Sequence, residues 1–137
     1  MDKVFVDTDI TLDLLAARVP HYSAAASLFS LADNGEMRIF VSSLSFSNVN
    51  YILGRQYSTE QVRKRLLKFK TLVSVLPVGD KTIELALSSD FRDFEDGLQY
   101  FTAIEAGLKT ILTRNLKDYK TAAISVMSAE NYLKSRK

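Results

Sequence analysis

Val4-Phe5-Val6-Asp7-Thr8-Asp9 decides the reading of this chain. Three consecutive apolar residues fit a short strand buried on both faces, the pattern of a parallel sheet rather than a half-wetted antiparallel one. The run ends in two carboxylates that flank a threonine. From Thr8 the spacing changes: Ile10, Leu14, Leu15 and Ala17 fall at helical intervals, so residues 8–17 predict a helix. A buried strand that runs through an acid into a helix is the opening of an alternating α/β pattern.

Outward from that stretch the alternation repeats. Pro20 opens a second predicted helix with Ala24, Ala25, Leu28, Phe29 and Leu31 on its apolar face, and Asn34-Gly35 stops it. Residues 37–41 predict a second strand, and 43–53 a serine-rich helix with Gly54 near its end. Ser58 followed by Gln61 makes a capping box for a helix through about Lys70. Residues 72–78 alternate as a third strand, and Asp80 caps a helix through Ser88. Asp93 with Asp96 starts another helix that runs through Ala106 to Gly107. Residues 110–112 and 124–126 predict the fourth and fifth strands, and Ser128 caps a last helix over 129–134. There is no internal repeat. The pattern predicts an α/β fold with a mainly parallel sheet of about five strands and right-handed crossovers, with residues 1–137 as one domain. In such sheets the working site lies beyond the carboxyl ends of the strands, near a topological switch point. The residues that follow each strand are therefore the ones to inspect.

Composition narrows the chemistry. Without cysteine there is no disulfide, zinc-thiolate site or thiol nucleophile, which fits a reducing cytosol. One histidine excludes a multi-histidine metal site within the chain. A metal would have to be held by oxygen, which points to Mg²⁺ or Mn²⁺ over Zn²⁺. No apolar run is long enough for a signal peptide or a membrane span, so the expectation is a cytoplasmic protein with no membrane partner. Net charge is only +2 but unevenly spread. Arg55, Arg63, Lys64, Arg65, Lys68 and Lys70 crowd one stretch, and Asp90, Asp93, Glu95 and Asp96 another. Cations for phosphates beside carboxylates for a metal suit a nuclease; two ordinary solvated faces would look the same.

Polar groups gather at three predicted strand ends or helix starts: Asp7-Thr8-Asp9, Glu95-Asp96, and Thr113-Arg114-Asn115 with Asp118 three residues on. Carboxylates that converge on one sheet edge repel one another unless a cation sits among them. Each also has a plainer role. Asp7 or Thr8 can cap a helix, Asp93, Glu95 and Asp96 can favour a helix N-terminus, and Asn115 and Asp118 can form turns. Asp7-Thr8-Asp9 also has the spacing of an aspartyl-phosphate hydrolase.

These strings resemble one family. Residues 4–15, Val-Phe-Val-Asp-Thr-Asp-Ile-Thr-Leu-Asp-Leu-Leu, are similar to the opening of PIN (PilT N-terminus) domains, where a strand leads into Asp-Thr-Asn. Phe94-Glu95-Asp96-Gly97-Leu98-Gln99-Tyr100 resembles the family's third acidic motif, and residues 111–119 its strand ending in Thr-x-Asp or Thr-x-Asn before an Asp-Phe-like turn. Residues 124–133 resemble its last strand and helix. The resemblance implies a Rossmann-like, three-layer α/β/α PIN fold and Mg²⁺- or Mn²⁺-dependent endoribonuclease activity. Many small bacterial members of the family resemble VapC toxins, and that branch implies an antitoxin protein as partner, RNA as substrate and a homodimer. Asp7 and Asp96 match catalytic metal ligands. Asn115 and Asp118 complete the expected metal set, and Thr8, Asp9, Asn48, Glu95 and Thr113 form the surrounding shell.

Two positions depart from the pattern. Asn48 stands where the family carries Glu, and Asn115 at the fourth acidic position. An amide oxygen can ligate Mg²⁺ but brings no charge, so metal affinity drops unless Asp118, Glu95 or Asp9 compensates. A degenerate PIN domain that binds RNA or protein without cutting is the alternative. Arg63, Lys64, Lys68 and Arg114 are the candidates to grip RNA phosphates. His21 reads as a capping or surface residue, and Tyr51, Tyr57 and Tyr100 as packing rather than base-stacking platforms.

Overall fold

A computed structural model describes residues 1–119 and 123–136 of the chain. In chain order they form β1 (Asp2–Val6), α1 (Thr8–Leu15), α2 (Tyr22–Asp33), β2 (Met37–Ser42), α3 (Ser43–Leu53), α4 (Thr59–Lys70) and β3 (Val73–Leu76). They continue through α5 (Asp80–Leu87), α6 (Phe94–Glu105), β4 (Thr110–Leu112), a 3-10 turn (Leu116–Tyr119), β5 (Ser125–Met127) and α7 (Ala129–Ser135). Every predicted element is found. The boundaries move where local chemistry overrides spacing. Helix α1 stops at Leu15 because Ala17 takes a left-handed φ of 50°. Helix α2 begins at Tyr22 rather than Pro20, with His21 at the cap position and no side-chain capping bond. Gly79, not Asp80, precedes α5, where its N–H donates to the Thr82 hydroxyl at 3.3 Å.

Among the described residues the strands make one five-stranded sheet, order β3-β2-β1-β4-β5, with every pairing parallel. The order reverses at β1: the chain steps outward to β2 and β3, then returns to lay β4 on the other side. Phe5 pairs with Ile111 and Val6 with Leu112, so the carboxyl ends of β1 and β4 lie level. The Asp7 N–H carries the ladder one step further, to the Leu112 carbonyl at 3.0 Å.

Alternation along β1 divides the molecule into three layers. Val4 and Val6 face a core built with Leu28 and Phe29 of α2, Phe69 of α4 and Tyr132 of α7. Phe5 faces the other way, onto Tyr100 and Ala103 of α6 and onto Tyr119. A third cluster joins Leu12 of α1, Val49 and Leu53 of α3 and Val62 of α4. Each such side chain stabilises the fold by about 1.5–3 kcal/mol relative to exposure. The central strands are thereby fixed on both faces, and with them the acids at their ends. The predicted three-layer α/β/α architecture with a parallel sheet is what the structure shows.

Candidate active site

Asp7 leaves the sheet at the switch point. Its backbone is extended, and its Oδ1 accepts the Thr8 N–H at 2.7 Å, which caps α1. The capping reading is correct, but it accounts for half of the carboxylate. Oδ2 accepts the Thr113 hydroxyl at 2.9 Å and the Tyr119 hydroxyl at 3.1 Å. Both donors follow β4, so the level ends of β1 and β4 hold this side chain. Asp7 is only 5% exposed. Burial, joined by the charge of Asp9, pushes its pKa up to about 7, against the three hydrogen bonds that pull it down.

Asp96 enters from the opposite side. Asp93 is the N-cap of α6 and accepts the Asp96 N–H at 3.1 Å, which places Asp96 in the first turn. Its pKa is also pushed up to about 7, first by partial burial and then by the charges of Asp7, Asp93 and Asp118. The two acids predicted as a pair therefore line one cleft and repel each other across it. The cleft holds about 550 Å³ and is also lined by Asp9, Asn48, Glu95, Asn115 and Asp118.

The remaining predicted residues fall into distinct places. Thr113, fully buried, bridges Asp7 and Asp9, donating to Asp9 Oδ2 at 3.3 Å. Asp9 Oδ2 also accepts the Arg114 N–H at 2.9 Å, while its Oδ1 is buried without a hydrogen-bond partner. Burial raises the Asp9 pKa. The Asn48 amide donates to Glu95 Oε1, so Asn48 holds a carboxylate from another helix at the cleft. Thr8 joins Ser45 at 2.8 Å, and the Gln99 amide donates to both, at 2.9 and 3.2 Å.

The predicted phosphate-gripping residues do not meet the cleft. Arg63, Lys64 and Lys68 are exposed on α4 and do not line it, and Lys64 pairs loosely with Glu60 at 3.7 Å. Arg114 is drawn elsewhere. Its guanidinium grips the buried Asp13 at 2.8 and 3.0 Å, tying the segment after β4 to α1. These two bonds occupy one edge of the guanidinium and turn it toward α1.

Three residues that matter here carry no signal of their own in the sequence. Tyr119 lies in the Asp-Phe-like turn, and Gln99 and Asp13 lie inside motifs that give them no separate role. Tyr51, expected to pack, instead lines the cleft and is 67% exposed. The packing expectation fits Tyr100, which is buried, and Tyr57, which is half-buried with Arg65 over its ring at 4.1 Å.

Among the described residues no three Asp, Glu or His side chains converge tightly enough to form a ready-made metal shell. What the cleft supplies is the Asp7 and Asp96 pair, the Asp118 carboxylate and the Asn115 amide. That donor set fits a hard divalent cation. Mg²⁺ is commonly held by one or two carboxylates while keeping several waters, and burial first, with neighbouring carboxylates second, raises the pKa values of Asp7 and Asp96, a penalty on their ionised forms that such a cation offsets.

Comparison with known proteins identifies the family. The family described as PIN domain matches residues 3–117. "Ribonuclease VapC1" of Aquifex aeolicus is 33% identical over 141 residues, covering 96% of this chain and 93% of that protein. Solved structures share the fold at lower identity. DNA-bound VapBC from Salmonella typhimurium has a TM-score of 0.71 at 18% identity, covering 94% of this chain and 99% of that one. VapC20 of Mycobacterium tuberculosis, a toxin that cleaves the sarcin-ricin loop, has 0.69 at 18%, covering 88% and 95%. A strand end and a helix start that bring Asp7 and Asp96 to one cleft, on a sheet reversing at β1, and a family match over residues 3–117 lead to one conclusion: the chain belongs to the PIN domain family.

Proposed function

We propose that this chain is a Mg²⁺- or Mn²⁺-dependent endoribonuclease, with residues 1–137 acting as one domain, and that it is the toxin of a toxin–antitoxin pair. The observation that carries the reading is the meeting of Asp7 and Asp96 in one cleft, each with its pKa raised in part by other carboxylates around it. Relatives named as a ribonuclease, as a toxin that cleaves the sarcin-ricin loop and as VapBC bound to DNA support this reading. An antitoxin protein is the expected partner, and a homodimer the expected assembly.

Asp7, Asp96, Asp118 and the Asn115 amide oxygen would hold the cation. When bound, such an ion lowers the pKa of a water and offsets charge that builds on the scissile phosphate. The chain's own residues prepare the place. Thr113 and Tyr119 fix the Asp7 carboxylate, so its orientation is set before anything binds. The Tyr119 hydroxyl remains a donor there, because burial and the charges of Asp7 and Asp96 push its pKa up. Asp93 fixes the first turn of α6, and with it the Asp96 backbone.

The direct test is cleavage of RNA by the purified chain with Mg²⁺ or Mn²⁺ and with chelator. Metal-dependent internal cuts that Asp7→Asn removes support the reading, and their absence from the wild-type protein sinks it. The second reading is a domain that binds RNA or protein without cutting. The observation favouring it is amide side chains at positions 48 and 115, which leave the cleft two negative charges short of the family pattern. Against it, Glu95 is held at Asn48, and the Asp118 charge reaches Asp96.

A further inference from the structure

Tyr51 is out of place for a packing residue. It sits on α3 three residues after Asn48, so the two share one face of the helix, and both line the acidic cleft. An aromatic ring left 67% exposed at the rim of a site is a large apolar surface open to solvent. It is also braced. The Arg55 guanidinium lies over the ring, 5.0 Å from its centroid, and Arg55 Nη2 donates to the Tyr51 hydroxyl at 3.3 Å. The ring is thus held in one orientation with one face backed by a cation and the rest open.

The charge pattern gives this arrangement a direction. The inner cleft is rich in carboxylates, which repel a polyanion. Arg63, Lys64 and Lys68 do not line it. Arg55 is the cation that the Tyr51 ring brings to its rim. Along the axis of α3, Tyr51 is about 4.5 Å from Asn48, so a nucleotide next to a phosphate at the carboxylates would reach the ring.

We propose that Tyr51 and Arg55 form a nucleotide subsite at the mouth of the cleft, where an unpaired base of single-stranded RNA stacks on the Tyr51 ring and Arg55 attracts the adjacent phosphate. The subsite rests on the ribonuclease reading and adds to it two residues that position the substrate: a base in a duplex has both faces occupied and cannot stack there, so the ring engages an unpaired base. Stacking on an aromatic ring tolerates every base, so it favours single strands without imposing a sequence.

The test uses the full chain carrying Asp7→Asn, so that RNA is bound and not cut, with a short single-stranded oligoribonucleotide containing one 2-aminopurine. Adding Tyr51→Ala should weaken binding by about 5- to 100-fold, the range for loss of one stacked base, and should abolish the fluorescence quenching that stacking causes. Tyr51→Phe should keep both, because the ring and not the hydroxyl provides the surface. Calorimetric titration of Mn²⁺ into the otherwise wild-type chain should be unchanged by either substitution, which separates loss of the subsite from damage to the metal site. Unchanged RNA affinity and quenching in Tyr51→Ala would leave the ring to a protein partner and overturn the proposal. An equal loss in Tyr51→Phe would overturn stacking as its basis. If the wild-type chain neither binds nor cuts RNA, the ribonuclease reading falls and takes the subsite with it, an outcome distinct from intact cleavage that Tyr51→Ala does not change.

Discussion

Asp7 is held by three hydrogen bonds in a place where its charge is poorly solvated. Its pKa of about 7 in the folded chain lies above the ordinary value of 3.8, and Asp96 behaves alike. The folded state therefore binds more protons than the unfolded state between those pH values, and stability falls as pH rises through that window. The metal-free chain should melt at a higher temperature at pH 5 than at pH 8, and Asp7→Asn should flatten that slope. A thermal melt series in chelator checks this, and a rising slope would contradict it. At pH 8 Asp7→Asn should leave the fold as stable as wild type or slightly more so, while RNA cleavage is abolished. Tyr119→Phe isolates a single contact. Removing the donor to Asp7 Oδ2 should raise the Asp7 pKa further, moving the acid limb of cleavage to higher pH. It should also destabilise the chain by about 1.5–3 kcal/mol, the range for hydrogen bonds to charged groups. A pH–rate profile that does not move would show that Asp7 is not the group that titrates.

The elements were legible because their signals are local. Alternation of short apolar runs with helical spacing, the Ser58–Gln61 capping box and the Asp93 cap each rest on residues a few positions apart, and each is found. The contacts that make the site are different in kind. Tyr119 to Asp7, Arg114 to Asp13 and Gln99 to Thr8 join residues 112, 101 and 91 positions apart, and nothing in the spacing of either partner announces the other. The exposure of Tyr51 was hidden for a similar reason: it depends on which residues pack around α3, not on α3 itself. The packing of α5 against α6 also depends on a residue whose role spacing does not reveal. A Cβ added at Gly97 would lie 3.3 Å from the Ala86 Cβ and 3.5 Å from the Phe91 Cβ, so the helices approach closely just after Asp96. Gly97→Leu should force them apart, with a loss of about 1–3 kcal/mol in urea unfolding. It should also cut cleavage more than a loss of stability alone explains, because Asp96 rides on the displaced turn. Full activity in a destabilised variant would show that the Asp96 position does not depend on this contact.

At the scale of the whole molecule, the switch of direction at β1 brings acids from the start, the middle and the end of the chain to one edge of the sheet. The sequence marks that edge, since Asp7 follows β1 directly and Asn115 comes three residues after the end of β4, but the balance of charge around the cleft emerges only once the chain is folded. That balance ties metal binding to global stability. A cation that binds only the folded chain stabilises it by about 2.7 kcal/mol at a hundredfold excess over its dissociation constant. Wild-type chain should therefore melt several degrees higher with saturating Mn²⁺, and Asp7→Asn should lose most of that gain. Adding two carboxylates to the cleft should act in opposite directions on the two states. Asn115→Asp together with Asn48→Glu adds carboxylates beside Asp7 and Asp96, so the metal-free variant should melt below wild type, because like charges in a partly desolvated cleft repel. The same carboxylates attract the dication, so the variant should bind Mn²⁺ more tightly, show a larger thermal gain on loading and reach half-maximal cleavage at a lower metal concentration. Paired melts with Mn²⁺ and with chelator, alongside calorimetric titration, measure both arms. Equal Mn²⁺ affinity in the variant and wild type would mean that Asp118 and the Asn48-bound Glu95 already complete the site, and that the asparagines cost it nothing.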